Sequence, residues 1–143
     1  MDKIILAESE TDIKRCFPIM AELRTHLKDE NDFFQRVKTQ QKTADYKLIF
    51  LEENGKVKSA AGIRISECLA WGKFLYVDDL VTFSSERSKG YGEKLFDRLV
   101  SYAIENSCDQ FHLDSGVQRF GAHRFYLKKR MDITSHHFAL KLK

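Results

Sequence analysis

The sequence contains little proline, tryptophan or cysteine. Its 143 residues include one proline, one tryptophan and three cysteines. The cysteines, Cys16, Cys68 and Cys108, are odd in number and far apart, with no Cys-x-x-Cys pair. This spacing argues against a disulfide framework and against a zinc site. Reduced, largely buried thiols are typical of cytoplasmic proteins, so a cytoplasmic location is predicted.

Long apolar runs and a dominant charge are also absent. No stretch approaches the ~20 apolar residues that a membrane span requires, and the first ten residues turn acidic where a signal peptide would continue apolar. The net charge is only +3, with basic residues alternating with acidic ones, so neither a membrane nor a nucleic acid is predicted as a partner. The adjacent His136 and His137 would point to opposite faces of a strand, and no metal site is predicted.

What is present is the composition of an ordinary globular domain. Hydrophobic residues make up 43% and charged residues 31% of the chain, which is close to the usual proportions. A chain of this length can bury its own core. Because no repeat, low-complexity tract or linker interrupts it, residues 1–143 are predicted to form a single domain.

Hydrophobic periodicity predicts strands and helices in an α+β or mixed α/β order. Thr11 can cap the first helix, and Pro18 inside that helix predicts a kink or break. Asn54-Gly55 between two strand-like runs is a strong hairpin signal. Further helices are predicted near 32–41, after the glycine loop described next, and at 118–129. The predicted strands are 3–7, 46–52, 57–65, 74–83, 110–114 and 135–142.

The segment with the clearest chemistry is the loop Arg87-Ser88-Lys89-Gly90-Tyr91-Gly92, between the strand 74–83 and an amphipathic helix. Glycine reaches positive φ at little cost and leaves no Cβ between the main chain and a ligand. A helix amino terminus points free N–H groups outward, which favours an anion. Two basic side chains add charge at the same place. The loop therefore predicts a site for phosphate groups.

Two common nucleotide-binding motifs do not match this loop. A P-loop requires a glycine followed by Lys and Ser or Thr, but Gly92 is followed by Glu93-Lys94-Leu95. A dinucleotide-binding fingerprint requires a third glycine, and that position is Leu95. An isolated Gly-x-Gly could also be a simple strand-to-helix turn.

The remaining pattern, Arg-x-x-Gly-x-Gly formed by Arg87, Gly90 and Gly92, resembles the GNAT superfamily of acetyl-coenzyme A-dependent N-acetyltransferases. Their Gln/Arg-x-x-Gly-x-Gly/Ala motif wraps the pyrophosphate of the cofactor. The segment 122–129, AHRFYLKK, resembles the family's tyrosine-containing helix, and the motif agreement spans about 74–131. Two positions depart from the family pattern: Arg130 replaces the glycine that usually ends this helix, and Arg119 replaces an asparagine.

The resemblance implies a central, mostly antiparallel sheet of six to seven strands, with splayed central strands and about four flanking helices. It implies acetyl-coenzyme A as the co-substrate. Main-chain groups around Leu80, Val81 and Thr82 would hold the pantetheine arm. The tyrosine of the family's helix corresponds to Tyr126, which would protonate the departing thiolate. The pyrophosphate would lie against Arg87, Ser88, Lys89, Gly90, Tyr91 and Gly92.

Asp78 and Asp79 are two adjacent carboxylates in an otherwise apolar strand. Alternation along a strand would send them to opposite faces. An amine acceptor with a pKa near ~10 must lose a proton before it attacks a thioester. Asp78 lies where some family members carry a glutamate base and is ranked first, although burial or a water relay would be needed. Equally, either residue could only cap a segment or pair with a lysine.

The function that follows is direct transfer of an acetyl group to a primary amine of a small molecule, without a metal. Two alternatives remain open at this point: a non-catalytic acyl-coenzyme A-binding sensor or interaction module, and an acetyltransferase acting on protein amines. A homodimer is a possible assembly. Asp78, Asp79, Glu67 and Asp114 could together form an acidic entrance suited to a cationic amine.

Overall fold

The computed structural model describes residues 1–143 and divides them into two compact units, Met1–His112 and Leu113–Lys143. None of its helices has the length and hydrophobicity that crossing a bilayer requires. The elements are, in chain order, β1 (Asp2–Leu6), α1 (Glu10–Arg15), α2 (Phe17–Leu23), α3 (Glu30–Ala44), β2 (Tyr46–Glu53), β3 (Lys56–Cys68), β4 (Gly72–Thr82), the 3-10 turn η1 (Ser84–Glu86), α4 (Tyr91–Glu105), β5 (Gln110–Leu113) and α5 (Phe120–Lys128).

The strands form one sheet in sequence order, β1-β2-β3-β4-β5. The first four strands are antiparallel, and β5 joins β4 to complete a mixed sheet. Asn54 and Gly55, which connect β2 to β3, have φ values of +54° and +74°. Positive φ at both central residues matches a tight hairpin turn, and the hairpin prediction is confirmed.

Both faces of the sheet are covered. Leu48 and Phe50 of β2 belong to one buried cluster with Ile13 of α1, Met20 of α2 and Val37 of α3. Because strand residues alternate between faces, the neighbouring buried side chains of β2 and β3 lie on the opposite face, where α4 contacts the sheet. On that helix the buried residues are Leu95, Phe96, Leu99 and Ala103.

The predicted break at Pro18 is confirmed, whereas the predicted cap is wrong. One helix ends at Arg15 and the next begins at Phe17, with Pro18 in its first turn, where the missing N–H costs no hydrogen bond. The cap of α1 is Ser9, whose hydroxyl accepts a hydrogen bond from the Asp12 N–H at 3.1 Å. Thr11 already lies inside the helix.

Element counts also differ from expectation. There are five strands rather than six or seven, and five α-helices rather than about four. The predicted strand at 135–142 is wrong, because residues 131–143 form neither helix nor strand. Its alternating apolar pattern is strand-like, but strand structure also requires backbone hydrogen bonds to a neighbouring strand.

The thiol of Cys16 and the hydroxyl of Tyr46 are buried with their protons, and this makes the stability of the fold sensitive to alkaline pH. Burial raises the pKa of the Cys16 thiol to about 12. Burial also raises the pKa of Tyr46 well above 10, with the nearby Asp79 carboxylate adding to the rise. In the unfolded chain both groups lose their protons at lower pH than in the folded protein. Their contribution to stability is therefore complete below pH ~9 and is lost as the pH rises.

We expect the free energy of unfolding to fall above pH ~9, with a limiting slope of about 1.4 kcal/mol per pH unit for each of these groups. Urea unfolding at pH 8, 9.5 and 11 measures this dependence. The Cys16→Ala variant should show a shallower fall between pH 9 and 10, because it lacks the contribution of the Cys16 thiol. An equal slope in the variant and the parent would contradict the assignment.

Candidate active site

A β-bulge interrupts β4 at the paired aspartates. Gly62 of β3 pairs with Asp79, and the next residue, Ile63, pairs with Val77. Asp78 is therefore an extra residue with no partner in the register. A bulge bends the strand and redirects side chains, and bulges are over-represented beside active sites.

The bulge brings both carboxylates to one face of the sheet. Asp78 accepts two hydrogen bonds from Arg64, at 2.7 and 2.8 Å, and Asp79 accepts one from the Tyr46 hydroxyl at 2.9 Å. Tyr46 and Arg64 are direct partners across β2 and β3, so their side chains share a face. The expectation that Asp78 and Asp79 point to opposite faces is wrong, because the inserted residue breaks the alternation.

Gly62 permits the contact between Tyr46 and Asp79. A Cβ at Gly62 would overlap the Tyr46 hydroxyl, so only glycine lets the tyrosine cross β3 to reach β4. Burial and Asp79 raise the pKa of Tyr46 well above 10, which keeps its hydroxyl a hydrogen-bond donor to the carboxylate. A glycine in the interior of a strand often marks such a close approach, and this was the available sequence signal for the contact.

Arg24 completes the group from the end of α2. Its Nε donates to Asp79 Oδ1 at 2.9 Å, and its Nη2 donates to the Asp78 carbonyl at 2.7 Å. The positive charges of Arg24 and Arg64 thus balance the negative charges of Asp78 and Asp79. The two aspartates therefore do not make the acidic entrance suggested by sequence, and their partners are arginines rather than a lysine. Sequence reasoning missed both arginines.

The glycine loop follows β4 after Phe83 and the 3-10 turn η1, and it has the backbone shape expected of it. Ser88 and Gly90 have positive φ values of +67° and +86°. Gly90 precedes α4, and no side chain caps the helix. The first intrahelical bond runs from the Lys94 N–H to the Gly90 carbonyl at 3.0 Å. The N–H groups of residues 91–93 consequently have no acceptor within the helix and can serve an anion.

Close packing and charge characterise the rest of the loop. A Cβ at Gly92 would lie 2.9 Å from Thr82 Oγ1, so the helix start approaches the end of β4 closely. Glu86 binds both Lys58 and Lys89 at 2.9 Å, and these hydrogen bonds, Lys89 first, lower the pKa of Glu86 to about 2. Arg87 is exposed and makes no such ion pair.

The side chain and the carbonyl of Tyr91 are both held by hydrogen bonds to the sheet. Its hydroxyl donates to Glu53 at 2.5 Å, and this bond, together with burial, raises the pKa of Tyr91 to about 12. The Tyr91 carbonyl accepts a hydrogen bond from the buried Ser59 hydroxyl at 3.4 Å. These contacts fix the first residue of α4 against β2 and β3.

The carboxyl-terminal end of β4 extends beyond β5, its neighbour at the end of the strand order. The backbone of Asp109 bonds to Lys73 near the start of β4, and β5 ends after four residues, whereas β4 has eleven. Leu80 and Thr82 are partly exposed, while Val81 is buried. Together with the open N–H groups and the free Arg87, these features fit a diphosphate on an extended arm, as in acetyl-coenzyme A. No group of three or more His, Cys, Asp or Glu side chains is suited to a metal.

Tyr126 lies in the second unit, on α5. It is half-buried, and burial raises its pKa above 10, against a smaller lowering effect of Arg119. Arg119 precedes the first residue of the helix and offers its carbonyl to the His123 N–H at 3.0 Å. A tyrosine in this environment keeps its proton at neutral pH and can donate it.

Comparison with known proteins agrees with this geometry. Residues 10–131 match the sequence model of the acetyltransferase (GNAT) family. The chain belongs to the GNAT acetyltransferase family. It is 38% identical over 113 residues, 79% of each chain, to YhdJ, an uncharacterized N-acetyltransferase of Bacillus subtilis strain 168.

Solved structures share the GNAT fold over almost the whole chain. A transcriptional regulator from Bacillus halodurans C-125 has a TM-score of 0.88 at 18% identity, covering 99% of this chain and 100% of that one. Glucosamine-6-phosphate N-acetyltransferase from Arabidopsis thaliana has a TM-score of 0.79 at 23% identity, covering 100% and 99%. Members of the family generally use acetyl-coenzyme A as co-substrate.

Arg130, which departs from the GNAT sequence pattern, adopts the backbone conformation of the missing glycine. Its φ is +68°. The Arg130 N–H donates to the Leu127 carbonyl at 3.0 Å, and the Met131 N–H donates to the Tyr126 carbonyl at 3.1 Å. This pair of bonds is a Schellman motif, which normally favours glycine at the left-handed position. The helix therefore ends in the usual way, at the cost of strain in an arginine.

We expect Arg130→Gly to stabilise the protein by about 0.5–1 kcal/mol, because relief of left-handed strain exceeds the added freedom of the unfolded chain. The melting temperature should rise by roughly 2–4 °C. Thermal unfolding monitored by circular dichroism measures the change. Lys128→Gly, two residues earlier and inside the helix, is the matched control and should instead destabilise the protein by about 1 kcal/mol. A lower melting temperature for Arg130→Gly would contradict the expectation.

Proposed function

We propose that this protein transfers the acetyl group of acetyl-coenzyme A directly to a primary amine of a small molecule. The observation that carries the proposal is the continuity of β4. Its bulge presents two carboxylates on one face. The strand ends three residues beyond Asp79, at Thr82, and only Phe83 and the turn η1 separate it from the glycine loop. One strand thus connects a candidate amine-binding region to a candidate diphosphate site.

In the proposed reaction each group has a defined task. The N–H groups of residues 91–93 and Arg87 bind the diphosphate, and main-chain groups of Leu80, Val81 and Thr82 hold the pantetheine arm. The amine nitrogen attacks the thioester carbonyl carbon, a C–N bond forms and the C–S bond breaks. The ammonium proton leaves through Asp78 or a water held by it. The thiolate sulfur receives its proton from Tyr126, and the second proton that the nitrogen loses on becoming an amide restores the Tyr126 hydroxyl.

The partial burial of the two carboxylates supports a small acceptor. The Asp78 and Asp79 side chains are only 23% and 16% exposed, and each is held by an arginine. A small amine can reach such partly buried side chains with less rearrangement than a folded protein surface can. Because Arg24 and Arg64 balance the negative charges of the two aspartates, the acceptor need not be a polycation.

The decisive experiment is a thiol-release assay with acetyl-coenzyme A against polyamines, amino acids, amino sugars, aminoglycosides and peptides. Release stimulated by one class of free amine would support the proposal and identify the acceptor class. Release with peptides alone would favour the protein-directed alternative. Tight binding of coenzyme A in a parallel calorimetric titration, with no release for any amine, would overturn the enzymatic proposal in favour of a sensor.

Substitution of Asp78 should mainly affect turnover, whereas substitution of Asp79 should mainly affect stability. We expect Asp78→Asn to lower kcat by about 100-fold, the lower range for loss of a general base. Asp79 binds Arg24 and the buried Tyr46 hydroxyl, so Asp79→Asn should mainly lower the melting temperature. Steady-state kinetics and thermal unfolding of the matched pair measure both quantities. A larger loss of kcat in Asp79→Asn would reverse the assignment.

A further inference from the structure

The two arginines beside the bulge are more exposed than the aspartates that they bind. The Arg24 and Arg64 side chains are 44% and 38% exposed, whereas those of Asp79 and Asp78 are 16% and 23% exposed. Both arginines contact Asp78, since Arg24 binds its carbonyl oxygen and Arg64 binds its carboxylate. The more exposed side of this charged group is therefore its cationic side.

Each guanidinium group also keeps hydrogen-bond donors in reserve. A guanidinium carries five N–H donors. Arg24 uses Nε for the Asp79 carboxylate and Nη2 for the Asp78 carbonyl. Arg64 uses Nε and Nη2, both for the Asp78 carboxylate. In each arginine the N–H groups of Nη1 are left over, and they can donate to an oxyanion.

Neighbouring contacts hold both arginines in place. The Cζ atom of Arg64 lies 5.3 Å from the centroid of the Tyr76 ring, its partner across β3 and β4. Arg24 follows the last residue of α2, and Glu22 of that helix accepts hydrogen bonds from the Ser84 N–H and hydroxyl at 3.0 and 3.3 Å. This contact fastens the end of α2 to the segment after β4. A guanidinium held in this way loses little further freedom when it binds a ligand.

The formal charges of the group cancel, because two arginines are paired with two aspartates. A purely cationic acceptor would add an unbalanced positive charge beside two guanidinium groups, and an anionic acceptor would add an unbalanced negative one. Both are unfavourable where side chains are partly shielded from water. A molecule that carries one ammonium and one carboxylate leaves the balance unchanged.

We propose that the acceptor is a zwitterionic amine, an amino acid, whose carboxylate accepts hydrogen bonds from the unused N–H groups of Arg24 while its amine lies beside Asp78. The assignment rests on the proposed function and specifies the class of small molecule. A planar carboxylate fits the fork of a guanidinium group. Because Arg24 itself binds the Asp78 carbonyl, the two charges of the acceptor must lie close together, as they do in an amino acid.

Thiol release from acetyl-coenzyme A tests the proposal on the parent protein, with a panel of amino acids that are each paired with their own carboxamide. The carboxylate of an amino acid stabilises its neighbouring ammonium. The carboxamide therefore has more free amine at neutral pH, and it would react faster if the protein did not recognise the carboxylate. We expect kcat/KM to be about 10–100-fold higher for the preferred amino acid than for its carboxamide, mainly through KM.

The same assay separates failure of this assignment from failure of the proposed function. Release with carboxamides or simple amines that equals or exceeds release with amino acids would overturn the zwitterionic acceptor and leave acetyl transfer to a small amine in place. Bound coenzyme A without release for any amine would overturn the proposed function, and the assignment of the acceptor with it.

Arg24→Gln tests the residue that carries the specificity. It should raise KM for the preferred amino acid, so that the preference over the carboxamide falls about 10-fold, while KM for the carboxamide does not rise. Arg36→Gln is the matched control, because Arg36 is an exposed arginine on α3 whose Nε donates to Asp32 at 2.8 Å, and it should leave both values unchanged. An equal loss for both substrates in Arg24→Gln would show a purely structural role and overturn the assignment.

Discussion

Tyr126→Phe should lower kcat by about 100-fold while changing the affinity for acetyl-coenzyme A less than twofold. A thiolate that leaves without a proton donor recaptures the acetyl group, and general acid catalysis contributes roughly 10²–10⁴-fold. We expect the lower end of that range, because a thiolate leaves more readily than an amine or an alkoxide. Burial holds the pKa of Tyr126 above 10, so its hydroxyl keeps the proton at neutral pH.

The pH dependence and a control variant make this result specific. On the alkaline side, kcat of the parent protein should fall above pH ~10 as Tyr126 loses its proton, and Tyr126→Phe should lack that fall. Tyr102→Phe, which removes the hydroxyl of a partly buried tyrosine on α4, should leave kcat unchanged. Unchanged turnover in Tyr126→Phe would remove this tyrosine from the mechanism.

The local features of this fold were predictable where one short segment determines them. The hairpin at Asn54-Gly55 and the break at Pro18 follow from the φ values that these residues favour or enforce, and both are present. The helix after the glycine loop was evident from its apolar stripe. The strand expected at 135–142 is not present. An alternating apolar pattern does not indicate whether a neighbouring strand is available to form the backbone hydrogen bonds.

The group around the paired aspartates required information from four distant segments. Asp78 and Asp79 were singled out because two carboxylates are unusual in an apolar strand. Their partners Arg24, Tyr46 and Arg64 come from α2, β2 and β3, and pairing register decides which residues meet. A shift of one residue, caused here by the bulge, changes the face to which a side chain points. Sequence alone gave no means of locating that shift.

Arg130 illustrates the opposite case, in which a sequence departure leaves the structure unchanged. The pattern of the family places glycine at this position, and its loss raised doubt about the end of the tyrosine helix. The arginine nevertheless takes the left-handed conformation and both Schellman hydrogen bonds form. A residue preference of about 1 kcal/mol is readily overcome by the surrounding hydrogen bonds.

Gly90→Ala should weaken coenzyme A binding by about 100-fold. Gly90 has a φ of +86°, and a Cβ there would meet nothing within 4 Å, so the substitution acts through backbone strain rather than a clash. Relief of that strain moves the N–H groups of residues 91–93 that would bind the diphosphate. Loss of one or two hydrogen bonds to a charged group, at about 1.5–3 kcal/mol each, corresponds to roughly that change in Kd. Isothermal titration calorimetry with coenzyme A measures it.

Gly55→Ala separates loss of binding from loss of stability. Gly55 has a similar φ of +74° and equally open surroundings, but it lies in the hairpin between β2 and β3 rather than in the loop before α4. Both alanine variants should lower the melting temperature to a similar extent, since each places a Cβ in the left-handed region. Only Gly90→Ala should lose affinity for coenzyme A. Parent-like binding by Gly90→Ala would exclude this loop as the diphosphate site, whereas equal losses in both variants would assign the effect to general destabilisation.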